Sequence, residues 1–388
     1  MDSEIILETQ NLEYFYHKDD LALRDVSIKI PKGKKTILLG ANGTGKSTLF
    51  LHFNGVLKPK KGKVLYNGQE ITYSAKALSE LRSKVAVVLQ NPDDQIFSTT
   101  VEEDVAFGPL NMSLPREEVE KRVEEALFLV NMTEYRSRPS QQLSFGQRKR
   151  VAFAGALAMK PEVLIMDEPT AGLDPQMTHE LMELTDELVH LGTTVIISTH
   201  DVAMAYTWAE ELHVLQNGRL VFSGKSEEFF TDPVRVHLAG LSQPVLFEIN
   251  AHLESLGKGQ QQPYPRNITQ FISKLAPSAT APGTLHLLPV NGKLEQETID
   301  AIIRKCNNGK ARVGISGTGA RIAGSVGMIS ADYVFNSIEN CLTETILGLD
   351  AIICYDECLE GIIREKLANL MDNFGMNIKV VKEENPAQ

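Results

Sequence analysis

The run Gly40-Ala41-Asn42-Gly43-Thr44-Gly45-Lys46-Ser47-Thr48 constrains the fold more than any other stretch of the chain. It follows an apolar, strand-like segment at 36–39 and precedes a helix-like one at 47–53. The glycines let main-chain N–H groups converge on phosphate oxygens, and the start of the following helix adds a favourable dipole. In this phosphate-loop pattern Lys46 reaches the β- and γ-phosphates and Ser47 ligates Mg²⁺. Gly40, Asn42, Gly43, Gly45, Lys46, Ser47 and Thr48 are therefore candidate nucleotide-binding residues. The flanking strand and helix place the loop in an α/β domain, at the carboxyl end of a parallel strand, where open sheets bind ligands.

Further apolar runs at 85–89, 163–166 and 194–197 supply more strands of such a sheet. The third run closes on Asp167-Glu168 and the fourth lies just before His200. A buried strand ending in Asp167 can set a carboxylate on the metal's water shell, and Glu168 can polarise the attacking water. The net charge of −11 over 388 residues argues against a nucleic-acid partner held by bulk charge. Four cysteines in so long a chain argue against a disulfide scaffold and for a reducing compartment. No apolar run approaches the roughly 20 residues of a membrane helix, and the acidic start Met1-Asp2-Ser3-Glu4 lacks a signal-peptide pattern.

Several motifs then recur in one order. Leu143-Ser144-Phe145-Gly146-Gln147 resembles the signature of the ATP-binding-cassette (ABC) ATPases, with Phe145 where glycine is commonest. Ala171-Gly172-Leu173-Asp174-Pro175 resembles their D-loop, and Ile196-Ile197-Ser198-Thr199-His200-Asp201 their switch-histidine segment. Gln90 resembles the Q-loop glutamine; Tyr16 stands at the place of the aromatic that stacks on adenine, with Tyr14 the alternative. The resemblance covers about residues 5–250. It implies an ABC cassette of the P-loop NTPase class, a RecA-like core with a helical subdomain, and a catalyst that binds ATP and Mg²⁺ and works as a pair. Glu168, His200 and Gln90 would be catalytic. Ser47, Gln90 and Asp167 would hold Mg²⁺. Ser144, Gly146, Gln147 and Asp174 would join the nucleotide-binding set, Ser144 and Gly146 by closing over the γ-phosphate held by the second subunit.

The stretch from Gln90 to Asn111, with the Phe145-containing signature, resembles ATPases of energy-coupling-factor (ECF) importers, which take up cobalt, nickel or vitamins. Within that group the likeness is greatest to the cobalt/nickel importer ATPase. It implies a transmembrane coupling subunit and a substrate-binding membrane subunit as partners, a homodimer or heterodimer of ATPases, and a place on the cytoplasmic face of the membrane. Asp93, Asp94, Glu102, Glu103 and Asp104 beside Gln90 are expected to accept arginines from the coupling subunit. A soluble, non-transport ABC regulatory ATPase is the alternative.

Three segments are expected: the cassette over 1–240, a helical extension and linker over 241–283, and a small α/β domain over 284–388. Ile268, Phe271, Ile272 and Leu275 have helical spacing between the linker-like runs at 257–263 and 276–283. In the last segment, strands are expected at 285–290, 311–316, 351–355 and 377–381, with helices at 294–305, 338–347 and 358–373. Gly314–Gly324 is a plain strand–helix turn or a candidate anion-binding one. Cys354 and Cys358 are a candidate metal pair or, for a cysteine closing an apolar strand, packing residues.

Overall fold

The described chain opens on two long strands, β1 (Ile5–Phe15) and β2 (Leu21–Pro31), paired antiparallel. Along β2 the buried Val26, Ile28 and Ile30 alternate with exposed Ser27 and Lys29, the period of a half-buried strand. In the computed structural model, residues 4–17, 21–257, 260–276 and 281–385 are described. The linker-like residues Lys258, Gly259 and 277–280 fall outside them. Two compact units result: 1–173 with 191–244, and 174–190 with 245–388.

The first unit contains two sheets. With β1 and β2, β4 (Lys61–Tyr66) and β5 (Gln69–Glu70) form an antiparallel sheet in the order β2-β1-β4-β5, where β3 is Lys35–Leu39 of the other sheet. That second sheet adds β6 (Val85–Val88), β7 (Val163–Asp167), β8 (Thr194–Thr199), β9 (Glu211–Gln216) and β10 (Arg219–Gly224), in the order β10-β9-β3-β8-β7-β6. All its pairings are parallel except β10 on β9. Every residue of β7 and β8 is buried, as strands covered on both faces require. The Lys46–Phe53 helix puts Leu49, Phe50 and Phe53 into one core with Leu7, Val26 and Ile30 of the antiparallel sheet and Ile165, Ile196 and Leu215 of the parallel one. That core fixes the phosphate loop at the helix's first turn. Helices Val101–Asn111, Arg116–Leu129 and Phe145–Ala158 pack together as a helical layer.

In the second unit, β11 (Thr284–Pro289), β12 (Arg312–Ser316), β13 (Ala351–Tyr355) and β14 (Lys379–Lys382) form a parallel sheet in the order β12-β13-β11-β14. Alternation along β13 splits its side chains between two cores. Ala351, Ile353 and Tyr355 join Ile338, Leu342 and Ile363 on one face, while Ile352 and Cys354 join Ile299, Ile302 and Ala323 on the other. The Ile268–Leu275 helix docks on the first face through Ile272.

The Pro175–His190 helix, expected within the cassette segment, packs in this second unit. Arg321 Nη1 donates to Glu183 Oε2 at 2.7 Å, with both side chains largely buried. The Cys358 thiol bonds Glu187 of the same helix. Burial pushes the Glu183 carboxyl above its ordinary range, against the pull of Arg321.

The anion-site expectation at Gly314–Gly324 meets a built-in occupant. Asp356 accepts from Gly319 N–H at 2.8 Å and Ala320 N–H at 2.6 Å, so the protein's own carboxylate caps the Thr318–Val326 helix. Cys354 is fully buried in the core, whereas Cys358 is exposed beyond the strand.

Candidate nucleotide site

The loop from Gly40 connects β3 to the Lys46–Phe53 helix. Gly45 has φ +103°, and a Cβ there would lie 2.7 Å from Ala22 O, so both conformation and space require glycine. Lys46 is buried, and its ammonium donates to Gly40 O at 2.7 Å and Ala41 O at 3.0 Å. A cleft of about 790 Å³ opens over the loop. Of the residues expected to bind ATP or Mg²⁺, Tyr16, Asn42, Gly43, Gly45, Lys46, Ser47, Thr48, Gln90 and Glu168 line it. Gln90 lies two residues past the end of β6, on the loop, and not in the strand.

Tyr14 and Tyr16 divide their tasks by burial. Tyr14 packs on the first unit's core and meets the His52 ring at 4.8 Å. Tyr16 keeps 49% of its surface exposed, and its hydroxyl lies 3.2 Å from Thr48 Oγ1. Tyr16 thus offers the open ring face.

At the end of β7 one hydroxyl organises both acids. Ser198 Oγ donates to Asp167 Oδ1 and accepts from Glu168 N–H at 3.0 Å. Glu168 has φ +44°, an uncommon and strained conformation for a side chain of this size. Its carboxylate is buried between two cationic or donor groups. Lys46 Nζ is 3.5 Å from Oε1, and His200 Nδ1 is 3.1 Å from Oε2. His200 itself is largely exposed.

Lys149 completes this corner, a residue that no motif singles out. Its ammonium donates to the carbonyls of Glu168, Pro169 and Ala171, at 3.3, 2.9 and 2.6 Å. Burial brings its pKa down to about 8, partly opposed by Glu168. The same ammonium lies 5.6 Å from the centre of the Phe145 ring. The Asn217-Gly218 turn between β9 and β10 also reaches the cleft; an Asn-Gly pair between two strands is a readable hairpin signal.

Ser144 and Gly146 are not part of this cleft's lining. Ser144 caps the Phe145–Ala158 helix in a reciprocal box: its hydroxyl accepts from Gln147 N–H, and Gln147 Oε1 accepts from Ser144 N–H. Gln147 therefore holds the cap. Asp174 belongs to the second unit, where its carboxylate accepts from Met177 N–H at 2.7 Å.

The acids after Gln90 are mostly committed within the chain. Asp93 pairs with Arg148 at 2.7 Å and Glu102 with Arg136 at 2.5 Å. Asp104 accepts from Phe97 and Ser98 N–H, and Glu103 closes a capping box with Thr100. Beside the exposed Asp93, Asp94 and Glu103, the segment presents apolar side chains outward. Phe97, Phe107 and Leu110 are 65, 49 and 59% exposed, and the two rings meet edge to face at 4.6 Å.

Residues 23–171 match the family described as ABC transporter. The energy-coupling factor transporter ATP-binding protein EcfA of Methanocaldococcus jannaschii is 49% identical, over 69% of this chain and 99% of that protein. EcfA2 of Methanospirillum hungatei is 38% identical over 90% of this chain and 89% of its own length, so the likeness runs into the second unit. Among solved structures, cbiO1 from Clostridium perfringens, described as part of the ABC transporter complex cbiONQ, is 41% identical. It covers 66% of this chain and 98% of its own, with a TM-score of 0.55.

Proposed function

Since the chain belongs to the ATP-hydrolysing subunits of energy-coupling-factor ABC transporters, we propose that it powers import of cobalt or nickel ions. The observation that carries the catalytic part is the placement of the Glu168 carboxylate between Lys46 and His200 at the edge of the cleft. The metal-ion cargo rests on the likeness of the Gln90–Asn111 segment and the Phe145 signature to such importers; a vitamin is the competing cargo.

In this reading Lys46 and the loop N–H groups hold the β- and γ-phosphates, and Tyr16 stacks on adenine. Ser47, Gln90 and Asp167 offer a hydroxyl, a carboxamide and a carboxylate, the all-oxygen donor set that suits Mg²⁺. When bound there, Mg²⁺ neutralises charge on the transferring phosphoryl group. Ser198 takes one oxygen of Asp167, and the other would be left to help hold Mg²⁺. Glu168 orients and deprotonates the attacking water, and His200 fixes the carboxylate and meets the γ-phosphate. The Ser144 hydroxyl and Gly146 N–H, outside their own chain's cleft, serve a second cassette's γ-phosphate. Two cassettes therefore form the working unit, and its closure drives the transmembrane coupling subunit. No helix among the described residues is long and apolar enough to cross a membrane. In this reading the chain acts at the cytoplasmic face, held by its membrane partners through Phe97, Phe107 and Leu110.

Copurification with the coupling and substrate-binding subunits, followed by nucleotide-dependent Co²⁺ uptake into vesicles, tests the assignment. Glu168→Gln should keep Mg·ATP binding and lower turnover by roughly 10²–10⁴. Near-normal hydrolysis would remove Glu168 from its role. Vitamin uptake without Co²⁺ or Ni²⁺ uptake would replace the cargo, and failure to copurify would favour a soluble regulatory ATPase.

A further inference from the structure

Three side chains from distant parts of the second unit converge where β11 and β13 begin. His286 lies on β11, Cys306 ends the Gln296–Lys305 helix, and Asp350 immediately precedes β13. One ligand atom from each lies within 4.8 Å of the others, and all three residues are buried. Among the described residues this is the one group of at least three His, Cys, Asp or Glu side chains so disposed. None of the three belongs to the set assigned to ATP. We propose that His286, Cys306 and Asp350 form a binding site for a borderline divalent transition metal of the Zn²⁺, Co²⁺ or Ni²⁺ class.

The geometry favours coordination on three counts. Cys306 Sγ and His286 Nε2 are 3.5 Å apart. Bonds of about 2.3 Å to sulfur and about 2.05 Å to nitrogen, at a tetrahedral angle, put those atoms about 3.5 Å apart. The other imidazole nitrogen, Nδ1, faces Glu383 Oε1 at 2.8 Å. A carboxylate behind a histidine is the usual support of a metal-ligating ring, because it fixes the tautomer that leaves Nε2 a lone pair. Lys305 in turn holds the second oxygen of Glu383 at 3.1 Å. The third count is the rigidity of Asp350. Its carboxylate accepts from Thr284 N–H at 2.7 Å and Asn307 N–H at 2.6 Å. Asn307 Nδ2 also donates to Oδ1, at 3.4 Å, while Oδ2 keeps a second lone pair for a metal.

Nitrogen, sulfur and oxygen donors together suit Zn²⁺, Co²⁺ and Ni²⁺ better than Mg²⁺ or Ca²⁺. Three protein ligands leave a fourth position for water. Exposed Asn307, next in sequence to Cys306, puts the site one residue from solvent. The Cys354/Cys358 pair suggested by spacing is thereby replaced by a set that sequence distance hides. The inference does not depend on which ion or vitamin is transported.

Co²⁺ is the probe, because its thiolate charge-transfer absorption reports sulfur ligation directly. Full-length protein, stripped with EDTA and kept reduced, should bind one Co²⁺ per chain with that band, in the presence of saturating Mg·ADP. Zn²⁺ should displace it. Cys306→Ser, nearly isosteric, should abolish the band, while Cys358→Ser should leave it intact. Glu383→Gln should weaken Co²⁺ binding by about 10–100-fold, the range for losing an outer partner of a metal-bound histidine. A wild-type protein without the band at saturating Co²⁺, or a band that persists in folded Cys306→Ser, would overturn the site.

Discussion

The Phe145 ring lies over Gly172: a Cβ built on Gly172 would sit 2.9 Å from Phe145 Cε1. The aromatic residue that departs from the commonest ABC signature thus covers the segment that follows Glu168. Lys149 anchors that segment through three carbonyls. Signature helix and D-loop are fastened to one another within a single chain.

Gly172→Ala should therefore cost stability twice over. Its φ of +76° is left-handed, worth roughly 1–2 kcal/mol to any other residue, and the new methyl meets the ring. Denaturant midpoints should show Gly172→Ala recovering part of its loss when combined with Phe145→Ala. Strict additivity would mean that the ring and the loop do not share the space.

Ser198→Ala should separate positioning from binding. It deletes the hydroxyl shared by Asp167 and the Glu168 amide. Each lost hydrogen bond to a charged or buried group is worth about 1–3 kcal/mol, so turnover should fall about tenfold or more. ATP affinity measured without Mg²⁺ should stay near normal, since Ser198 bonds Asp167 and the Glu168 amide and does not line the cleft. A larger fall in that affinity than in turnover would contradict the role.

Docking should respond to apolar surface more than to acid. Phe97→Asp with Phe107→Asp should abolish copurification with the transmembrane subunit and leave Mg·ATP binding unchanged. Reversing Asp94 alone should do much less, because the neighbouring acids are already bonded inside the chain. Survival of assembly in the double Phe variant would move the docking surface elsewhere.

Acid should destabilise the first unit through His213. The ring is fully buried, bonded to Ser223, and burial brings its pKa from 6.5 to about 4. Above pH 6.5 the ring is neutral in folded and unfolded chains, so it exacts no penalty. As pH falls from 6.5 to about 4, the unfolded chain takes up the proton first and stability is lost, by as much as about 3 kcal/mol. Unfolding midpoints across this interval should fall less steeply in His213→Leu. An unchanged slope would assign the acid sensitivity to other groups.

The strand–loop–helix around Gly40 was legible to within a residue, since glycines, apolar run and helix start are neighbours in the chain. The four C-terminal strands were legible for the same reason. The antiparallel sheet was not: β1 carries polar Glu8, Gln10 and Asn11, and its pairing with β2 shifts register repeatedly, which erases a clean alternation. Nor could Lys149 be read, because it is tied to carbonyls about twenty residues away, which carry no residue-type signal. For Cys354 the packing reading holds, and Cys358 differs from it for a physical reason. Strand alternation sends the first into a core, while the second lies outside the strand.

The Pro175–His190 helix has a larger consequence. Gly172 and Leu173 end one compact unit and Asp174 begins the other, and the chain returns at Leu191 before leaving again at Val245. The second unit is therefore stitched into the first, not hung from its end. Trimming the polypeptide after the cassette would orphan Glu183 from Arg321 and strip the covering from a helix spliced directly onto the D-loop. The second unit thus opens inside the Ala171–Pro175 segment itself.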